Sequence, residues 1–439
     1  MTHKITRINQ IAKENKDIIF TSIYHLIDYD LLKECYDELD GNKATGLDDI
    51  TKDIYIINLD ENLNILVNKL KTKQYNPAPS RRVYIPKANG KLRSLAISNF
   101  EDKIVQMALK KVLEAIFETR FSDNMYGFRH NMSCHDALAR IVYDIEHNYT
   151  NYVVEADIKG YFDNIDHDKL INCLRKHIKD TNILILVRKL LTAGILDKGK
   201  FYVDDYGTPQ GSVVSPVLAN IYMYYCLIRW FNEDIKPNLK GFASIINYAD
   251  DFICCFQYNN EAEKFYNNLL PARLKVAGLE LAPDKTRLIS FGRFAKQNTK
   301  VGKPETFDFL GFTHYCSTSK NGKFRVKRKT SRKSFNKKLK EFNIWCKDNR
   351  TEPIEEVMAT VRRKLIGYYN YYGITDNYHF ICKFYYRSLQ ILFKWLNRRS
   401  QRNSYTSEEF KELLIKFKIS KPHIKVNVYD KINSSLRNN

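Results

Sequence analysis

Residues 244–256, SIINYADDFICCF, are two apolar arms around the adjacent carboxylates Asp250 and Asp251. Two carboxylates inside an apolar hairpin lose hydration and repel each other, so they need either a solvated turn or a compensating cation. Aspartate is common in turns, and the dipeptide alone reads as a turn. A third carboxylate has similar surroundings. Asp157 ends the apolar run of residues 151–158, NYVVEADI, and is followed by Ile158-Lys159-Gly160-Tyr161-Phe162. If these strands are neighbours, Asp157 and Asp250 converge. Hard oxygen ligands at a sheet edge suit Mg²⁺, which retains waters and accepts phosphate oxygens. Two such ions about 3.5–4 Å apart would activate an attacking hydroxyl and stabilise a leaving pyrophosphate. Phosphoryl transfer needs little beyond positioning and charge stabilisation.

Several elements could position that chemistry. Residues 81–97, RRVYIPKANGKLRSLAI, predict a hairpin turning near Ala88-Asn89-Gly90, with Lys87 and Arg93 on its two arms. Lysine as a point charge and arginine as a fork could clamp a triphosphate; either alone reads as a solvated hairpin charge. Residues 208–216, TPQGSVVSP, are turn-rich and open a helix over 217–230, with Gly211 permitting close backbone approach. Lys285 follows Gly278-Leu-Glu-Leu-Ala-Pro-Asp and could protonate a leaving group, or be a plain surface lysine. The periodicity predicts helices over 58–73, 101–120, 167–192 and 260–278, and a short strand over 307–315.

The chain has 439 residues, with 71 Lys+Arg against 50 Asp+Glu, a net charge of +21. Such an excess points to a polyanionic partner, most often nucleic acid. No run approaches the roughly 18 apolar residues of a membrane span, and the polar start lacks a signal core. Nine cysteines without a CxxC pair exclude a zinc ribbon and a regular disulfide framework, which fits a reducing cytosol. The composition shifts near 295–320. Residues 320–340 carry 11 Lys/Arg and no acid, and aromatics follow at Tyr368, Tyr369, Tyr371, Tyr372, Phe384, Tyr385, Tyr386 and Trp395. Phosphate neutralisation and base stacking would use these; Phe384, Leu389, Leu392 and Trp395 instead sit at the spacing of a helical core face.

In order, RRVYIPKANGKLR, MYGFRHNMSCHDAL, EADIKGYFDNI, GTPQGSVVSPVLANIY, NYADDF, GLELAPDKT and FDFLGF closely resemble the successive blocks of a reverse transcriptase. The set is most similar to the reverse transcriptase/maturase of bacterial group II introns. KLIGYYNYYGITDN and KFYYRSLQILFKWLNRRSQRNSYT resemble that family's maturase (X) domain, and GNKATGLDDITKDIY its N-terminal extension. The resemblance implies an α+β right-hand polymerase, fingers and palm with an antiparallel sheet, followed by an α-helical thumb/maturase domain. It divides the chain into an N-terminal extension (1–80), fingers and palm (81–295), primer-grip region and helical thumb (296–403) and a basic tail (404–439).

The resemblance also assigns roles. Asp157, Asp250 and Asp251 match the catalytic, metal-binding aspartates, with the backbone of Ile158 beside them and two Mg²⁺ as cofactor, Mn²⁺ as a substitute. Phe162 matches the bulky residue that disfavours a 2′-hydroxyl, and Gln210 the glutamine beside nucleotide and template. Lys87 and Arg93 match finger residues on the triphosphate, and Lys285 the candidate proton donor. Arg129 would order the fingers and belongs with the primer- and RNA-binding set, as do Phe309-Leu310-Gly311, the primer grip, and Lys327, Arg328 and Lys329. After Gly211 the chain reads Ser-Val-Val where the family more often has Gly-Ile-Ile, a change expected to affect packing only. The absence of a cysteine-paired HNH segment implies no endonuclease. The expected partners are RNA template, structured intron RNA, a DNA primer or target and dNTPs, in a bacterial cytosol. The same residues also fit a group II-like reverse transcriptase recruited to phage defence or DNA repair, or a maturase whose polymerase is only scaffold.

Overall fold

The computed structural model describes residues 3–86, 92–203, 206–298, 304–399 and 404–437. Its strands are β1 (Ser80–Pro86), β2 (Leu92–Ile97), β3 (Tyr152–Asp157), β4 (Ile195–Asp197), β5 (Lys200–Tyr202), β6 (Ala243–Tyr248), β7 (Asp251–Phe256), β8 (Arg287–Ser290), β9 (Thr306–Phe309), β10 (Phe312–Thr318) and β11 (Phe324–Thr330). They form three sheets, ordered β2-β1-β4-β5, β6-β7-β3-β8 and β11-β10-β9. The middle sheet is antiparallel throughout. The first includes one parallel pair, β1 with β4.

Side chains alternate across a strand, and the middle sheet uses both faces. Val154, Ala156, Phe252, Cys254 and Phe256 join a core shared with the N-terminal helices and helix Phe100–Phe117. Val153, Ile253, Cys255 and Ile289 join a second core with Phe307, Phe309, Phe312 and the C-terminal helices. That second core runs across the composition boundary at 295–320, so the helical region packs directly on the sheet. Helices Arg332–Asp348, Ile354–Tyr372 and Tyr378–Leu396 carry its aromatics. Tyr368 stacks on Phe384 at 3.6 Å. Tyr369, Tyr372, Tyr385 and Leu392 are buried as well, while Leu389 and Trp395 are half-buried and Tyr386 is exposed. No described helix is long and apolar enough to cross a membrane.

Two sequence expectations need correction. Residues 167–192 form two helices, His167–Arg175 and Thr181–Leu191. Asp180 starts the second by accepting from Asn182 and Ile183 N–H, and its other oxygen accepts from Ile23 and Tyr24 N–H. A side chain so engaged ends one helix and caps the next. The segment after 403, expected as a basic tail, contains helices Ser407–Lys416 and Val428–Arg437. Val428 and Ile432 are buried, and Lys431 donates to Asp136 at 2.6 Å.

The third sheet places His314 opposite Arg328, stacked on Phe307 with ring centroids 4.7 Å apart. Burial, then the Arg328 charge, pushes the His314 imidazole down to about 3. A histidine held neutral in the fold stabilises it fully above its ordinary value near 6.5, and that contribution is lost as pH falls toward 3. Stability should therefore drop between pH 6.5 and 5 by up to about 1.4 kcal/mol per pH unit from this group. In His314→Phe, thermal melts across that range should lose this slope.

Candidate active site

The antiparallel register sets Asp157 directly opposite Asp251 at the open end of β3 and β7. Directly paired residues project from one face with Cβ atoms about 5 Å apart. Tyr248 pairs with Asp251, which leaves Ala249 and Asp250 as the connecting turn. Ala249 has φ +59°, a left-handed position that tight hairpin turns require. The Ile158 amide faces the Asp250 carbonyl at 3.4 Å. The three aspartates singled out by sequence thus come together, with the Ile158 backbone beside them.

The turn is braced from behind. Tyr126 N–H donates to the Asn247 carbonyl, and Asn247 N–H to the Asn124 carbonyl, both at 2.9 Å. A Cβ on Gly127 would sit 2.5 Å from the Ala249 nitrogen, so only glycine permits this approach. Arg129 holds that loop in shape, pairing with Glu118 at 2.9 Å and donating to the Ser122 and Met125 carbonyls. Its side chain is only 6% exposed. Arg129 therefore orders the loop, and its placement among RNA-contacting residues is corrected, because its guanidinium is already engaged inside.

Burial raises the proton affinity of Asp250, and the Asp157 charge raises it further; Lys285 and Arg93 oppose this. Asp251 lies well above the usual carboxylate range because of burial, then Asp157, Asp250 and Glu155. The Lys285 ammonium donates to Asp157, which holds its proton more tightly than usual. Ala282 N–H donates to the Asp157 carbonyl at 2.8 Å, tying the lysine-bearing segment to the end of β3. Among the described residues no group of three or more His, Cys, Asp or Glu side chains is placed to hold a metal ion by itself. Crowded, poorly hydrated carboxylates on an open edge nonetheless fit Mg²⁺, which takes few protein ligands and keeps positions for water and phosphate.

The segments bearing Phe162, Gln210 and Arg93 are equally knit. Thr208 N–H donates to the Phe162 carbonyl and Gly207 N–H to the Ile165 carbonyl, both at 2.7 Å. The Gln210 side chain donates to Asp163 at 3.0 Å, and its carbonyl accepts from Ala96 N–H of β2 at 2.7 Å. Gly211, at φ +110°, lies so close to Ala96 that a Cβ would meet its carbonyl oxygen at 2.8 Å. The hairpin that carries Arg93 is thereby fastened to the segments bearing Phe162 and Gln210. Arg93 is exposed; Lys87 lies outside the described residues. Phe128, at φ +58° and exposed, meets the Phe162 ring edge-on at 6.1 Å. Sequence reasoning gives no role to Phe128 or Asp163, although both stand in the motifs MYGFRHNMSCHDAL and EADIKGYFDNI.

Leu310-Gly311 forms the two-residue turn between β9 and β10, both with positive φ. Phe309 is buried and anchors this turn, while Tyr371 donates to the Leu310 carbonyl at 2.9 Å. On β11 the alternation separates the three basic residues assigned to RNA. Lys329 is exposed and Lys327 half-buried. Arg328 points inward, fully buried, 3.5 Å from Asp376 and donating to the Val326 carbonyl at 2.9 Å. Its assignment to RNA is corrected on that ground.

Residues 85–314 match the family described as Reverse transcriptase (RNA-dependent DNA polymerase). The chain belongs to the reverse transcriptase family. Its matched segment covers every aspartate of the site and ends inside β10. Among individual proteins, it is 40% identical over 222 residues to "Group II intron-encoded protein LtrA" of Lactococcus lactis subsp. cremoris, covering 50% of this chain and 37% of that protein. It is 38% identical over 241 residues to "Protein YkfC" of Escherichia coli (strain K12), covering 48% and 63%. The longest of these three matches is to "Putative COX1/OXI3 intron 2 protein" of Saccharomyces cerevisiae, 36% over 323 residues, covering 72% and 35%. The matches thus span less than two thirds of these relatives' own lengths.

Proposed function

We propose that this reverse transcriptase is an RNA-directed DNA polymerase of group II intron type. It extends a DNA primer on an RNA template with dNTPs and Mg²⁺, binds structured intron RNA as a splicing maturase and supports intron mobility. The observation that carries the reading is Asp157 opposite Asp251 with Asp250 in the adjoining turn. The resemblance to intron-encoded proteins supports the maturase part.

Asp157, Asp250 and Asp251 would hold the ions, which when bound make the primer 3′-hydroxyl a better nucleophile and offset charge on the pyrophosphate. The residues of the chain do the rest. Arg93, fastened through β2 and with its charge felt at Asp250, would fork onto the triphosphate. Gln210, steadied by Asp163, would lie beside the incoming nucleotide. Lys285, charged and hydrogen-bonded beside Asp157, would be the proton donor to the departing pyrophosphate. The turn at Leu310-Gly311 would guide the primer end. Phe162, backed by Phe128, would close the floor under the sugar.

The deciding experiment is primer extension on poly(rA)/oligo(dT) with dTTP. Extension with Mg²⁺ and none after chelation is the expected result. No extension alongside tight binding of structured RNA would overturn the polymerase reading and leave a maturase. Phe162→Ala should relax sugar selection: the preference for dTTP over UTP should fall by about 10–200-fold, the range a single steric discrimination is worth. Unchanged selectivity would remove Phe162 from that role.

A further inference from the structure

Ser80, Ser98, Gln106 and Ser212 form a row of buried polar side chains, none more than 8% exposed. Ser80 opens β1, Ser98 follows β2, and Gln106 stands on helix Phe100–Phe117. The Ser80 and Ser98 hydroxyls share a hydrogen bond at 3.2 Å. The Gln106 amide nitrogen donates to the Ser98 hydroxyl at 3.0 Å. The Gln106 oxygen accepts from the Ser212 hydroxyl and from Val213 N–H, each at 3.0 Å. A backbone N–H can only donate, so the atom facing Val213 is the amide oxygen and the nitrogen is left to face Ser98. None of these four side chains leaves a buried polar atom without a partner. A satisfied buried row of this kind fixes one arrangement of the segments it joins.

At one end it joins the base of the hairpin β1–β2, which carries Arg93. At the other it joins the turn that carries Gln210. Ser212 N–H donates to the Pro209 carbonyl at 3.1 Å, which closes a turn with Gln210 and Gly211 at its centre. Gly211, at φ +110°, has the positive φ that a type II turn asks of its third residue. Gln210 thus rides on the corner of a turn whose closing residue is clasped by Gln106. Filling space at position 212 does not call for a hydroxyl, since alanine has nearly the same volume and would bury no donor. The resemblance has glycine there more often, which could make no such bond.

We propose that Gln106 and Ser212 are positioning residues for nucleotide addition: through the Ser212 hydroxyl, Gln106 holds the Gln210 turn in register with the hairpin that bears Arg93. The inference rests on the polymerase reading and adds two residues to it. Neither residue touches the nucleotide. Gln210 would meet it beside the base and Arg93 at the triphosphate, so the spacing of the two decides how well both engage one molecule. A backbone bond, Ala96 N–H to the Gln210 carbonyl at 2.7 Å, survives any side-chain change, so removing the Ser212 hydroxyl loosens the turn without freeing it.

The test is steady-state primer extension on poly(rA)/oligo(dT) with wild type, Ser212→Ala, Gln210→Ala and the double variant. Ser212→Ala strands no partner, because Val213 N–H still occupies the Gln106 oxygen. Its melting temperature should fall by at most about 2–4 °C. Its KM for dTTP should rise about fivefold, the scale of one hydrogen bond, with kcat within about twofold of wild type. In the double variant the loss should equal that of Gln210→Ala alone, since a residue acting through Gln210 then has nothing to position. The preference for dTTP over UTP should stay, because Phe162 is held by its own bond from Thr208 N–H. Gln106→Met removes the junction and leaves Val213 N–H unpaired, so it should raise KM at least as far and also lower the melting temperature. An unchanged KM in Ser212→Ala, losses that add in the double variant, or a fall in sugar preference would overturn the proposal. Wild-type protein that extends no primer would instead overturn the polymerase reading beneath it.

Discussion

Asp250→Asn should cut DNA synthesis by about 10³-fold or more while leaving RNA affinity within about twofold. The substitution keeps shape and removes one charge. Asp250 is a poor place for that charge on stability grounds alone: burial disfavours it and Asp157 repels it. The amide removes both penalties, so the melting temperature should hold or rise. Activity lost with stability kept or gained is the signature of a group retained for chemistry at a cost to the fold. Primer extension and a thermal melt on the same preparation check it. Retained extension would sink the metal assignment, and a collapse in stability would make Asp250 a structural turn residue. Asp157→Asn is a less clean experiment, because Asp157 also accepts from the Lys285 ammonium.

The features legible in the sequence were those written locally. An apolar run ending in one carboxylate, and two apolar arms around a pair, gave strand ends and a turn; the structure has β3, β6 and β7 there. The hairpin of 81–97 followed from its turn chemistry, and its two arms appear as β1 and β2. Pairing between distant segments was not legible. Nothing in NYVVEADI states that Asp157 pairs with Asp251, because register is decided by tertiary packing. The same limit hid the direction of side chains. Arg129 looked available and is engaged with Glu118 and two carbonyls. Phe128 had no role assigned from sequence, and its left-handed backbone brings its ring edge-on to Phe162. The segment after 403 was expected as a basic tail. Val428 and Ile432 nevertheless find a buried place, beside a lysine that reaches Asp136.

Arg328 makes the same point with the largest expected effect on stability. Three consecutive basic residues read as one patch, but a strand sends neighbours to opposite faces. Val326, Arg328 and Thr330 point inward, so the middle charge of Lys327-Arg328-Lys329 is fully buried. It lies 3.5 Å from Asp376 and opposite His314. Burial lowers its proton affinity, yet a guanidinium stays charged, so its partners must compensate for the water it gives up. Arg328→Ala removes the volume and strands Asp376, and should cost about 3–5 kcal/mol. Arg328→Met fills much of the space without a buried charge, and should recover most of that loss. Neither should change the salt dependence of RNA binding in protein that remains folded. Lys327→Gln with Lys329→Gln should do the reverse: melting within a degree or two, and a log–log salt slope shallower by about one for each phosphate no longer neutralised. Urea melts and salt titrations on these three variants separate the two faces of one strand. A flattened salt slope in Arg328→Met with wild-type stability would return Arg328 to the RNA surface.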